Sequence, residues 1–129
     1  MKYIKKKLTI EKVFASNIAK KYGTPSYCYS YSKLKENIKF FKNSFSSFSP
    51  LICFAVKSNT NVSLIKEIKK FGLGADVVSI GELMIALKAG INPKKIVFSG
   101  VGKTSEEIRF AIEKKILLIN AESISEIKE

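Results

Sequence analysis

Histidine is wholly absent from this chain of 129 residues, arginine occurs once, at Arg109, and cysteine only at Cys28 and Cys53. The two cysteines lie in apolar runs and form no CxxC or Cys/His spacing, which excludes a zinc-site pattern and histidine-dependent catalysis within these residues. The net charge of +12 is carried almost entirely by lysine. Base and phosphate recognition leans on the bidentate guanidinium fork, so a nucleic-acid partner is not expected. Most lysines fall on the polar sides of predicted helices, with one short cluster at Lys5-Lys6-Lys7, the pattern of a lysine-rich solvated surface. No apolar run approaches the roughly 20 residues of a membrane span, and the lysine-rich start lacks the apolar segment of a signal peptide. A soluble, cytoplasmic, reduced protein with no membrane partner is the expectation.

Hydrophobic residues make up 46% of the chain, which places it among globular rather than disordered sequences. Residues 3–10 read as a short strand and 11–22 as a helix with Phe14, Ile18 and Tyr22 on one face, stopped by Gly23-Thr24-Pro25. Ser26–Tyr29 is β-prone, and a second helix from Ser32 carries Leu34, Ile38, Phe41 and Phe45. From Leu51 the texture changes to short apolar strands alternating with amphipathic helices, the signature of βαβ units and a parallel sheet. The predicted strands are Leu51–Val56, Ala75–Val78, Lys95–Phe98 and Ile116–Asn120. The helices between them are expected to bury Leu64, Ile65, Ile68 and Phe71, then Leu83, Met84 and Leu87, then Ile108 and Ile112. Capping boxes open three helices, at Ser79…Glu82, Thr104…Glu107 and Ser123…Glu126.

The strand-end positions Lys57, Asp76, Ser99 and Asn120 recur at the pace of a (β/α) barrel adding one unit after another. The expected fold class is therefore α/β: about four βα units of a TIM-type barrel, preceded by an N-terminal strand and helices. A closed barrel needs eight units and roughly 250 residues. The division expected is 1–22 for the N-terminal strand and helix and 23–129 for the partial barrel.

Two residues stand out chemically. Lys57 closes the apolar run Leu51–Val56, and period-2 alternation puts it on one side with Ala55, Cys53 and Leu51. A neutral, desolvated lysine amine can attack a carbonyl and form a Schiff base, whereas a lysine ending a strand can equally snorkel into solvent. Asp76 interrupts the apolar run Ala75–Val78, where a carboxylate is costly unless paired. It reads either as a functional group facing the same cavity as Lys57 or as a buried residue bonding backbone amides of the next loop. Glu82 could assist at that mouth, but the capping box already accounts for it. Ser99-Gly100-Val101-Gly102-Lys103-Thr104 has the strand-to-helix context of a phosphate-binding P-loop, yet Val97 stands where that motif requires glycine.

Phe54-Ala55-Val56-Lys57-Ser58-Asn59, Gly74-Ala75-Asp76-Val77-Val78-Ser79 and Ile96-Val97-Phe98-Ser99-Gly100-Val101-Gly102-Lys103-Thr104, together with the early Gly23-Thr24-Pro25 segment, occur in an order and spacing that resembles the diaminopimelate decarboxylases. These belong to the alanine racemase-like, fold-type III enzymes that use pyridoxal phosphate (PLP). The resemblance covers essentially the whole chain. It implies that Lys57 matches the lysine that carries PLP, that Asp76 matches a strand-end aspartate near the cofactor, and that Glu82 matches a family glutamate. It further implies decarboxylation of meso-diaminopimelate to L-lysine, an amino-acid substrate and a homodimer with shared active sites.

Family members run to roughly three times this length, a full barrel followed by a β-rich domain. The acidic partner of the pyridine nitrogen, the ring-stacking histidine, the glycine-rich phosphate loop and the C-terminal substrate contacts have no counterpart in these residues. The expectation is an N-terminal portion that needs its remaining half or a second subunit and has little or no activity alone. The alternative is a non-catalytic half-barrel that binds a partner through its open sheet edges.

Overall fold

Two segments of unlike texture follow one another in the computed structural model, which describes residues Met1–Glu129: a unit spanning Met1–Phe48 and a unit spanning Ser49–Glu129. Residues 23–48 thus group with the N-terminal unit, whereas the sequence was expected to divide after Tyr22. No helix is long and apolar enough to cross a membrane.

In the first unit, strands β1 (Lys2–Ile4), β2 (Lys7–Ile10) and β3 (Val13–Phe14) form an antiparallel sheet. The single strand expected over 3–10 is instead a hairpin in which Ile4 pairs with Lys7. Lys5 and Lys6 both take positive φ, 48° and 62°, the conformation a two-residue primed turn demands. Nothing announces this turn in the sequence, because Asn-Gly or Asp-Gly normally fills it. Helix α1 (Ala15–Tyr22) starts later than expected because β3 occupies the preceding residues, and Gly23, at φ 82°, caps it. The β-prone Ser26–Tyr29 forms no strand. Helix α2 (Tyr31–Ser44) is capped by Ser30, whose hydroxyl accepts from Lys33 N, and it buries Ile38.

In the second unit, β4 (Cys53–Ala55), β5 (Gly74–Val77), β6 (Ile96–Phe98) and β7 (Leu118–Ile119) form a parallel sheet in that order. All four predicted strands are present; three are shorter than expected, and β5 keeps its four residues but begins one residue earlier, at Gly74. Helices α3 (Val62–Lys70), α4 (Ile80–Lys88), α5 (Ser105–Glu113) and α6 (Ile124–Lys128) follow them in turn. Strand alternation sends Ala75, Val77, Ile96 and Phe98 into a core shared with Ile65 and Leu83. The opposite face carries Cys53, Ala55, Asp76, Val97 and Leu118, with Ala55 beside Asp76, Asp76 beside Val97 and Val97 beside Leu118.

The helix stripes need correction in two places. Met84 and Ile112, expected inside, are 55% and 63% exposed, while Ala86 and Ala111 are fully buried. An alanine lets the helix backbone approach the sheet closely, so the small side chain marks the contact line and the larger ones flank it.

Gly74 opens β5 where the sheet is tightest. A Cβ there would collide with the Lys95 carbonyl oxygen and stand 2.9 Å from Cys53 Sγ. Backbone cannot yield as a flexible side chain does. Gly74→Ala is expected to lower the unfolding free energy by about 2–3 kcal/mol, read as a fall in the urea midpoint; an unchanged midpoint would contradict this packing.

Candidate functional site

Parallel strands place their carboxyl ends along one edge of the sheet, where side chains from distant positions in sequence converge. At the end of β4 the chain leaves the ladder in a single 3₁₀ turn, Val56–Ser58, rather than running on to Val56 as an extended strand. Val56 is fully buried and anchors this turn; Asn59 N donates to Val56 O at 3.0 Å, and Ser58 Oγ donates to Ala55 O at 2.7 Å. Lys57 therefore sits on a fixed backbone with an exposed side chain that takes part in no hydrogen bond or ion pair. It is at the rim of the strand end, not desolvated beneath it. The alternation expected to align Lys57 with Ala55 and Cys53 stops at Ala55, because a 3₁₀ residue no longer alternates.

Asp76 is the only aspartate in the chain. It lies half-buried in β5, and Ser99 Oγ donates to its Oδ1 at 2.6 Å. Asn120 Nδ2 in turn donates to Ser99 Oγ at 3.1 Å. The partner of Asp76 is thus a hydroxyl from the next strand end rather than the loop amides that the sequence allowed. Burial, and then the Asp76 charge, push the neighbouring Cys53 thiol above its ordinary value. Three of the four recurring strand-end residues, Asp76, Ser99 and Asn120, are joined by hydrogen bonds; Lys57 is not part of that chain. Ser99 and Asn120 were not singled out chemically from the sequence, although their spacing was the signal.

The starts of α4, α5 and α6 are closed by carboxylates. Glu82 Oε2 accepts from Val78 N at 3.0 Å while Ser79 Oγ accepts from Glu82 N. Glu107 completes a full capping box with Thr104, and its other oxygen accepts from Ile80 N at 2.9 Å, tying α5 to the start of α4. Glu126 Oε2 accepts from Glu122 N at 2.7 Å, and Ser123 Oγ accepts from Glu126 N. Glu82 and Glu126 thus reach the residue before the cap, and only Glu107 reaches the cap amide itself. At these three helix starts, backbone amides that could cradle a phosphate are already occupied by negative charge, whereas the start of α3 is capped by the neutral Asn61 side chain.

The glycine-rich turn is equally committed. Gly100 and Gly102 take φ of 94° and 72°, a region that favours glycine, and the turn points Lys103 inward. Lys103 Nζ donates to Gly100 O at 2.6 Å and Asn120 O at 2.7 Å and pairs with both oxygens of Glu126 at 3.1 and 3.2 Å. The side chains of this pair are 1% and 8% exposed. A P-loop lysine needs a free ammonium; this one has none of its protons to spare.

The fold and the placement of Lys57 and Asp76 invite comparison with known proteins. Residues 31–129 match the family model described as pyridoxal-dependent decarboxylase, pyridoxal binding domain. The chain belongs to this family. Its four parallel βα units are part of the family's pyridoxal-binding barrel. It is similar to the diaminopimelate decarboxylase of Helicobacter pylori strain J99, at 49% identity over 107 residues, covering 83% of this chain and 26% of that protein. It is similar to that of Aquifex aeolicus at 43% over 127 residues, covering 98% of this chain and 30% of the relative. A crystal structure of the Helicobacter pylori enzyme complexed with L-lysine superposes with a TM-score of 0.84 at 43% identity, over 88% of this chain and 29% of that one. The chain therefore spans less than a third of the length of these relatives.

The acidic groups set the pH response. The Ile80 amide chiefly holds Glu107 below the ordinary glutamate value of 4.5, and the Glu122 amide chiefly, with Lys103 adding to it, holds Glu126 below it. A carboxyl whose pKa is depressed on folding binds protons less readily in the folded state than in the unfolded one. Its stabilisation is present above the unfolded value and is lost as pH falls through the folded one. The denaturant midpoint is expected to hold nearly level down to about pH 5 and to drop below it, with a smaller drop in Glu107→Gln; an equal drop in the variant would contradict the assignment.

Proposed function

We propose that this chain is the N-terminal portion of a PLP-dependent diaminopimelate decarboxylase that, completed by the remainder of its barrel, releases carbon dioxide from meso-diaminopimelate to give L-lysine. One observation carries the reading: a lysine with a fully free amine, Lys57, stands on a rigid turn at the carboxyl edge of the sheet of a pyridoxal-binding domain. The residues present fit part of the group. Lys57 is the residue that would hold PLP, and Asp76 is the carboxylate at the end of the next strand, with Oδ1 bonded and Oδ2 without a protein partner. When bound, PLP supplies the electron sink for loss of the substrate's carboxyl group. Glu82 is assigned to the start of α4 rather than to chemistry, because its carboxylate is spent on Val78 N.

The starts of α4, α5 and α6 and the turn before α5 offer the phosphate end of the cofactor no partner. The starts of α4, α5 and α6 carry glutamates, and the Lys103 amine is consumed internally. Phosphate binding therefore belongs to residues outside this chain, as do substrate contacts, in a cytoplasmic enzyme assembled as a dimer. On that ground the 129-residue chain has little or no decarboxylase activity alone. A second reading, a non-catalytic half-barrel docking a partner by its sheet edges, draws on the unpaired outer edges of β4 and β7 and on Leu118, 50% exposed. A compact monomer on size-exclusion chromatography with sharp thermal unfolding would remove that second reading.

Borohydride reduction in the presence of PLP, followed by peptide mass analysis, is expected to place the label on Lys57, and Lys57→Ala is expected to abolish that peptide's label. A label spread evenly over the surface lysines would overturn the assignment. In a direct assay, carbon dioxide release from meso-diaminopimelate by the isolated chain is expected to stay at background; robust turnover would refute the need for the remainder.

A further inference from the structure

We propose that Ser99 and Asn120 are positioning residues that orient the Asp76 carboxylate, and that the buried Lys103 anchors them. The proposal rests on the reading above that Asp76 meets the cofactor. A hydroxyl has one proton and two acceptor lone pairs, and an amide nitrogen can only donate. With Asn120 Nδ2 donating to Ser99 Oγ, the single hydroxyl proton is directed to Asp76 Oδ1, a short charge-assisted bond of 2.6 Å. The opposite amide orientation would set two acceptors against one proton. The chain of bonds is thus directional, from Asn120 through Ser99 to Asp76, and it crosses the ends of β7, β6 and β5.

The far end of this chain is held by the backbone. Asn120 N donates to Phe98 O at 2.9 Å, and Asn120 O accepts from Lys103 Nζ at 2.7 Å. Lys103 is itself fixed by Gly100 O and Glu126. Asn120 is therefore held through both peptide groups that flank it before its side chain reaches Ser99. The result at Asp76 is a carboxylate with one oxygen committed and the other left for a ligand's donor, held by residues that need not touch that ligand themselves.

Because Asp76 is the only aspartate, selective ¹³C-carboxyl labelling of aspartate in the full chain reports a single residue. In the ligand-free wild type its order parameter is expected near the rigid level of roughly 0.85, and below about 0.6 in Ser99→Ala or Asn120→Ala, with Ser99→Thr restoring order because it keeps the hydroxyl. PLP trapping with borohydride supplies the second readout. Asp76→Asn and Ser99→Ala are each expected to reduce the Lys57 share of label several-fold, and the double variant to fall no lower than Asp76→Asn, because residues acting through one another are not additive. Unchanged Asp76 order in Ser99→Ala would overturn the proposal, as would an additive double variant. Loosened Asp76 in Ser99→Ala combined with wild-type label spread over all lysines would overturn the cofactor reading while supporting the ordering of Asp76 by Ser99.

Discussion

The second unit turns on the burial of one ammonium group. A lysine charge withdrawn from water is tolerated only when its protons are met by well-placed acceptors. Lys103 finds them in the Gly100 and Asn120 carbonyls and in Glu126, and so ties together the turn after β6, the end of β7 and the last helix. Glycine at positions 100 and 102 makes the inward path of the chain accessible at low strain. The same satisfaction rule governs the neighbouring helix starts, where Glu82, Glu107 and Glu126 take up amides that would otherwise face the strand ends unpaired. Among the charged groups at the strand ends, the amine of Lys57 and one oxygen of Asp76 stay uncommitted.

That economy explains why this chain reads as one part of a site. Its sheet has a face packed on helices and a face bearing Ala55, Asp76, Val97 and Leu118 that these helices do not cover. Parallel sheets are normally covered on both faces and continue to a closed barrel or an enclosed sheet. The chain spans less than a third of the length of its relatives.

Much of this was legible in the residues. The four short apolar strands were visible because a strand buried between layers cannot carry charge, and Asp76 was conspicuous as the exception. The helix starts were visible because a hydroxyl followed three residues later by glutamate satisfies free amides locally. The family was legible because three motif segments kept their order and spacing. Other features were hidden. Met84 and Ile112 look like core residues by periodicity, but helix-to-sheet distance selects Ala86 and Ala111, and distance is not a local property. The Lys5-Lys6 turn carries no turn residue, so its positive φ values are imposed by strand pairing.

By itself, then, the sequence determined the alternation of strands and helices and their caps, since each depends on neighbours a few positions away. Only the tertiary structure decided that Lys57 leaves the strand on a 3₁₀ turn into solvent, that Lys103 points inward, and that Ser99 and Asn120 join Asp76. Those outcomes depend on which acceptors a folded sheet brings within about 3 Å of a donor, and residues some 20 positions apart meet only when the strands align.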